Sequence, residues 1–129
     1  MQPFGAKKKE VARRALRALV PYPAVLVPNQ FGGFDVFFPN FTKAASGGVN
    51  LKLALEDARR ELNYQLYKAL RLGGDMPVPS LPDGLLPDEE EIAGTRVVVI
   101  EPDRDEILRR LGLNKLRSRM SPSGQKYTP

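Results

Sequence analysis

Cysteine, histidine and tryptophan are all absent from this chain of 129 residues. The lack of cysteine excludes a disulfide, a thiolate zinc site and a thiol nucleophile. The lack of histidine removes the commonest general acid–base and metal ligand, and it excludes a Ser–His catalytic dyad. Catalysis by carboxylates alone is therefore the main enzymatic chemistry that the composition leaves open.

Long apolar runs are lacking as well. The apolar stretch at residues 20–28 contains three prolines, whereas a membrane-spanning helix needs about 20 apolar residues. Arg13, Arg14 and Arg17 interrupt any export signal near the N-terminus. We therefore expect a cytoplasmic protein without a membrane partner, although an Arg-rich start of this kind also resembles an organelle presequence.

The net charge of +5 is unevenly distributed along the chain. Residues 1–20 carry six basic side chains and one acid, residues 81–106 carry two and nine, and residues 107–129 carry six and none. Basic ends favour a polyanion or an acidic protein as partner, or they simply keep a small domain soluble. The possible nucleic-acid contacts are Lys7, Lys8, Lys9, Arg13, Arg14, Arg17, Arg109, Arg110, Lys115, Arg117 and Arg119.

Hydrophobic periodicity predicts two helices in the first half of the chain. Apolar residues spaced by three and four predict helices over residues 6–20 and 51–72. Asn50 is a suitable N-cap for the second helix, and Gly73 is suited to end it. The first helix presents a basic face without interleaved aromatic rings, which favours docking by its apolar face over a nucleic-acid contact.

Strands are predicted between and after these helices. Alternating residues indicate strands at 22–28 and 34–38 joined by a glycine-containing turn, followed by a short third strand at 41–46. A fourth strand is expected at 95–100, where four consecutive apolar residues suggest burial on both faces and hence a position inside the sheet. The long helix is expected to cover one face of this sheet.

The remaining segments complete the predicted domain organisation. Prolines and an acidic run indicate a linker without regular structure at residues 75–94. A short helix capped by Asp103 is predicted at 103–111. The resulting division is a basic N-terminal helix at 1–20, an α+β domain at 21–112 and a basic flexible tail at 113–129.

An ordered set of short motifs resembles the HicB family of bacterial antitoxins and covers roughly residues 22–82. The set runs from a Tyr-Pro-Ala-Val strand through a Gly-Gly-Phe turn and a helix to a Pro-x-Pro-Ser segment. The matching residues are Tyr22, Pro23, Ala24, Val25, Gly32, Gly33, Phe34, Phe38, Pro39, Leu55, Ala58, Leu62, Gly74, Asp75, Pro77, Pro79 and Ser80.

The resemblance implies a fold and a partner. The implied fold is α+β and partly degraded ribonuclease H-like: a three-stranded antiparallel meander, a long helix and a fourth strand, here with extra helices at both ends. The implied partner is a small HicA-like toxin that cleaves mRNA, with self-association and autoregulation of the operon. Family members often carry a C-terminal DNA-binding module, but Val97 to Ile100 are all apolar and 18 residues follow Leu111. DNA as a partner therefore stays open.

A ribonuclease H site holds two Mg²⁺ ions between convergent carboxylates, one of which comes from the first strand. The first strand contains no acid. The other elements offer Asp35, Glu56, Asp57 and Glu101. Glu56, Asp57 and Glu61 are more simply interpreted as a helix surface that pairs with neighbouring arginines and lysines. We therefore predict no catalytic residue, no metal ligand and no cofactor.

Three functions remain in competition. The first is an antitoxin whose acidic run, Asp88, Glu89, Glu90 and Glu91, faces a basic toxin. The second is a nucleic-acid-binding module that uses the basic ends and is therefore sensitive to salt. The third is an orphan scaffold of the same fold, without a toxin, that serves in assembly or regulation.

Overall fold

The computed structural model describes residues 4–41, 45–73, 76–85 and 93–113. Its helices are α1 (Phe4–Ala18), α2 (Leu51–Leu72) and α3 (Arg104–Arg110), and its strands are β1 (Tyr22–Pro28), β2 (Phe34–Phe37), β3 (Ala45–Gly48) and β4 (Arg96–Ile100). The four strands form one antiparallel sheet in the order β3-β2-β1-β4. The protein is therefore α+β, as predicted. No helix in these ranges has the length and apolar character needed to cross a bilayer.

The core lies between the sheet and α2. Leu26 of β1 stands opposite Val36 of β2, and both side chains are fully buried on the face that α2 covers. The stripe of α2 that faces this core contains Ala54, Ala58, Leu62, Leu66 and Leu70. Each buried methylene group contributes about 0.8 kcal/mol to the free energy of folding, and this burial is the main interaction that holds the helix on the sheet.

The ends of α2 are those that the sequence predicts. The Asn50 side chain accepts a hydrogen bond from the Leu53 amide at 2.8 Å, which satisfies one of the free N–H groups of the first turn. Gly73 ends the helix with φ at +74°, a left-handed conformation that glycine adopts without strain.

A run of glycines lets α2 begin directly on the sheet. A Cβ atom at Gly48 would collide with the backbone of Leu53 and Ala54, lying 2.6 Å from the carbonyl carbon of Leu53. A Cβ atom at Gly33 would collide with the carbonyl oxygen of Gly48. The β1–β2 turn, the end of β3 and the start of α2 are therefore packed backbone against backbone.

Two strand predictions need correction. The sequence pattern predicts the third strand at 41–46, but β3 spans 45–48. The chain turns at Phe41, whose amide donates to the Phe38 carbonyl and whose ring packs 4.9 Å from that of Tyr22. The fourth strand was expected inside the sheet, but β4 pairs only with β1 among the described strands. The four apolar residues in a row alternate between its two faces: Val98 and Ile100 lie on the core side, and Val97 and Val99 lie on the outer side.

The predicted linker at 75–94 is more ordered than expected in its first half. The Tyr22 hydroxyl donates to the Pro77 carbonyl at 2.6 Å, and the Asn40 amide donates to the carbonyl of Val78 at 3.1 Å and to the Ser80 hydroxyl at 3.0 Å. A short 3-10 helix, Pro82–Leu85, follows and lies beside β4. These contacts hold the segment against the start of β1, the chain after β2, and β4.

Helix α1 is docked by its apolar face, as its pattern favoured. Ala12, Ala15 and Leu19 are buried in the common core, and the Leu19 carbonyl accepts a bond from Arg104 of α3 at 3.4 Å. The observed helix spans 4–18, two residues earlier than predicted at each end. Helices α1 and α3 thus pack around α2 on the same side of the sheet.

Candidate binding surfaces

A buried amide fixes α3 against α2. Asn63 lies among the apolar core positions of α2 and is only 3% exposed. Its Nδ2 donates to a Glu106 carboxylate oxygen at 2.6 Å, and its Oδ1 accepts from the Asp103 amide at 2.8 Å. Asp103 in turn caps α3 by accepting from the Glu106 amide at 3.1 Å. This junction was missed in the sequence, where a single polar residue inside an apolar stripe was its only signal.

The face of the sheet opposite α2 carries an apolar surface. Val25, Phe37 and Val97 stand side by side on three neighbouring strands, and Val99 stands opposite Pro23 in the next row. Phe37 is 48% exposed and Val99 is 49% exposed. We call Val25, Phe37, Val97 and Val99 the outer-sheet patch. Partly exposed apolar groups on several adjacent strands are typical of a protein-binding surface.

Of the candidate nuclease carboxylates, Asp57 is engaged in the fold and Asp35 lies on the other face of the sheet. Asp57 accepts a bond from the Gly47 amide at 3.2 Å and forms an ion pair with Arg60 at 3.2 Å. Asp35 projects from the outer face of β2, away from α2. Within the parts of the chain that the structure describes, no group of three acidic side chains is placed to hold a metal ion.

Those basic residues predicted to contact nucleic acid that the structure describes fall on two helices. Arg13 and Arg17 are exposed on α1, and Arg14 is partly buried there. The backbone of Lys7, Lys8 and Lys9 belongs to the same helix, but their side chains lie outside the described residues. The positions of these side chains do not show whether they bind nucleic acid, so nucleic-acid binding by α1 stays a prediction.

The second basic set lies at the end of α3. Arg109 and Arg110 are exposed, and the guanidinium carbon of Arg110 lies 4.4 Å from the ring centre of Tyr67 on α2. Lys115, Arg117 and Arg119 of the predicted set lie outside the described residues. The structure thus adds an aromatic neighbour that the sequence analysis did not anticipate.

The acidic run Asp88–Glu91 lies outside the described residues, although the chain on either side of it is placed. Before it comes the 3-10 helix, which lies beside β4. After it comes Gly94, where a Cβ atom would lie 3.0 Å from Cγ of Pro28. The predicted contact of the acidic run with a toxin stays a prediction.

The motif residues that carried the resemblance have structural roles. Tyr22 and Pro77 share a hydrogen bond, and Ser80 exchanges two with Asn40. Gly33 permits the close approach of the Gly48 carbonyl. Because these residues hold the fold together, their match argues for a fold and identifies no binding residue. Gly74 and Asp75 of the motif lie outside the described residues.

Solved structures of toxin–antitoxin proteins have a similar fold. A chain of the HicA3 and HicB3 toxin–antitoxin complex has a TM-score of 0.53 at 22% identity, covering 64% of this chain and 98% of its own. A chain of a toxin–antitoxin complex from Streptococcus pneumoniae has a TM-score of 0.56 at 19% identity, covering 84% and 99%. The antitoxin HicB of Burkholderia pseudomallei has a TM-score of 0.57 at 16% identity, covering 81% and 90%.

Comparison at the level of sequence adds nothing to this: no family model and no curated protein matches the chain. The structural likeness extends over nearly the whole length of the similar chains, at identities that show a fold alone. The protein therefore has a HicB-like fold, in agreement with the resemblance inferred from its motifs. The more distant likeness to ribonuclease H stays an expectation.

Proposed function

We propose that this protein is a HicB-like antitoxin that binds a small, basic HicA-type toxin in the cytoplasm and neutralises it. The observation that carries the proposal is the HicB-like fold, shared with chains of two toxin–antitoxin complexes. Fold alone does not fix function, so the proposal also relies on the surfaces described above. They suit a binding protein better than an enzyme.

The outer-sheet patch is the surface that we assign to the toxin. A stable protein interface buries a central apolar core inside a polar rim. Phe37 supplies a half-exposed aromatic ring at the centre of the sheet, and Val25 and Val99 extend the apolar area on the adjoining strands. Asp35 lies on the same face as Phe37 and begins an acidic rim.

We also assign the acidic run Asp88–Glu91 to toxin binding. In the sequence this run lies between the 3-10 helix Pro82–Leu85 and β4, the strand that carries Val97 and Val99. A run of four acids would steer a basic partner and raise the association rate, more strongly at low salt. Neutralising the run should therefore reduce the salt dependence of complex formation.

We also propose that the chain is not an enzyme and uses no cofactor. Histidine and cysteine are absent from the whole sequence. Asp57 is engaged in holding the fold and Asp35 lies on the other face of the sheet, so these two acids do not share a site. A binding role needs none of these groups to be activated.

The test is recovery of the partner followed by a functional assay. A tagged chain is captured from its native host at moderate salt, and co-eluting proteins are identified by mass spectrometry. We expect a small basic protein in stoichiometric yield, which cleaves RNA when purified alone and is silenced when this chain is added back. Recovery of no such protein favours the orphan scaffold.

Substitutions then locate the interface. Phe37→Ala should weaken the toxin complex by about 2 kcal/mol, or about thirtyfold, because truncating a central aromatic contact has this effect at protein interfaces. Phe31→Ala is the matched control, since Phe31 is 79% exposed but lies in the β1–β2 turn, outside the patch. Equal affinity of the Phe37→Ala variant and the unaltered chain, measured by calorimetry, would remove the patch from the interface.

The predicted homo-oligomer is also part of the proposal. Strand β4 is an edge strand in the described sheet, and its sequence Arg-Val-Val-Val-Ile contains none of the prolines or lysines that protect exposed edges. Light scattering on the free chain should give a mass of two or more copies. A monomer at micromolar concentration would refute self-association without affecting the proposed binding of the toxin.

A further inference from the structure

A cluster of cations and tyrosine rings occupies the solvent face of α2 near its C-terminus. Tyr67 and Lys68 lie three and four residues after Tyr64, and Arg71 lies four and three residues after them, so the four residues lie on one side of the helix. The Lys68 amine lies 5.3 Å from the centre of the Tyr64 ring. Arg71 donates to the Tyr67 hydroxyl at 2.8 Å.

Helix α3 completes this cluster from a distant part of the sequence. Arg110 stacks on Tyr67 at 4.4 Å, and the Asn63 junction holds α3 in the position that makes this contact. We call Tyr64, Tyr67, Lys68, Arg71 and Arg110 the tyrosine–arginine cluster. It combines fixed guanidinium groups with an exposed ring, and Tyr64 is 45% exposed.

The cations of the cluster form no ion pair with another described residue. Lys68, Arg71 and Arg110 have no carboxylate partner among the described residues. The acids on neighbouring turns of α2 are engaged elsewhere, with Asp57 paired to Arg60 and Glu61 bonded to Gln65 at 2.7 Å. The sequence that follows α3 adds further positive charge, since residues 111–129 contain four basic residues and no acid.

We propose that the tyrosine–arginine cluster is a binding site for single-stranded nucleic acid. Guanidinium and ammonium groups bind phosphates, and tyrosine rings stack on bases, so this pairing of groups matches the chemistry of an unpaired strand. A single strand is the ligand rather than a duplex because an exposed ring stacks only on a base that is not already paired and enclosed. The site lies on α2 and α3, apart from the outer-sheet patch on the opposite face of the sheet.

The site is tested on the free, full-length chain with fluorescein-labelled oligouridylate, by fluorescence anisotropy over a series of salt concentrations. Arg71→Ala combined with Arg110→Ala should lower affinity at least tenfold. The slope of log affinity against log salt should fall by about 1.4, because each phosphate contact on a single strand contributes about 0.7. Tyr64→Ala should lower affinity about tenfold with little change in that slope, since the loss of stacking releases no counterions.

The matched control is Arg13→Ala combined with Arg17→Ala, which removes the same charge from two exposed positions on α1. An effect confined to the cluster variants supports the site. Equal losses from both pairs, or no effect of Tyr64→Ala, would show diffuse attraction and overturn it. Duplex DNA that competes as well as oligouridylate would also overturn the single-strand assignment. Circular dichroism establishes that each variant is folded.

Discussion

The buried amide of Asn63 leads to a sharp stability prediction. Asn63 is both donor and acceptor: its Nδ2 reaches the Glu106 carboxylate and its Oδ1 receives the Asp103 amide. Only a side-chain amide offers both groups at this length. Asn63→Ala removes both bonds and leaves an amide and a carboxylate without partners at the junction between α2 and α3.

The expected cost follows from the two bonds. A neutral hydrogen bond contributes about 1 kcal/mol to stability, and one to a charged group about 1.5 kcal/mol or more, so the loss should be about 2 to 3 kcal/mol. A domain of this size has a total of about 5 to 15 kcal/mol. Asn63→Asp is expected to cost at least as much, because its second oxygen would face the Glu106 carboxylate oxygen where the amide now donates at 2.6 Å.

Urea unfolding followed by circular dichroism measures these changes. Gln65→Ala is the control, because its bond to Glu61 joins neighbouring turns of α2 and its loss should cost less than about 0.5 kcal/mol. A double-mutant cycle with Glu106→Ala should give a coupling energy of about 1 kcal/mol. A loss below 0.5 kcal/mol for Asn63→Ala (about the size of a surface effect), or no coupling, would refute the reasoning.

Two further predictions concern other parts of the fold. Gly48→Ala should destabilise the protein by about 1 to 3 kcal/mol in the same unfolding assay, because the new Cβ collides with the backbone of α2. An unchanged free energy of unfolding would mean that α2 does not begin on β3 as described. Burial raises the pKa of Tyr22 above its usual value of 10.0, so its neutral form is favoured in the folded state and stability should fall as the pH rises above about 10. Tyr22→Phe should lose the bond to Pro77 but also lessen that alkaline decline, and an unchanged decline would assign it to other groups.

The predictable parts of the fold are those that repeat. Helix α2 is predicted at its observed bounds because its leucines and alanines recur at helical spacing and Asn50 and Gly73 stand at its ends. Strand β1 is likewise found where its pattern places it. Strand β3 is misplaced because Ala45 to Gly48 has no side-chain pattern to read: its position is set by backbone contacts with Gly33 and α2.

The candidate surfaces were less accessible to sequence reasoning. The spacing of Tyr64, Tyr67, Lys68 and Arg71 is visible in the sequence, but the contact with Arg110 depends on where α3 docks. That in turn depends on Asn63, whose partners lie some 40 residues further along the chain. The outer-sheet patch required the strand order, since Phe37 and Val97 are neighbours of Val25 only in the folded sheet. Tertiary proximity of this kind leaves no local pattern.

The position of β4 bears on how the chain folds as it is synthesised. Strands β1, β2 and β3 and helix α2 are contiguous in sequence, so they can pair and pack early through local contacts. Strand β4 pairs with β1 over a long separation in sequence, since Tyr22 lies opposite Ile100, and pairing of such distant segments is slow. Folding from the N-terminus during synthesis would therefore yield a three-stranded intermediate that exposes the free edge of β1. Any surface that includes β4 or α3 would therefore be completed after β1, β2, β3 and α2 have packed together.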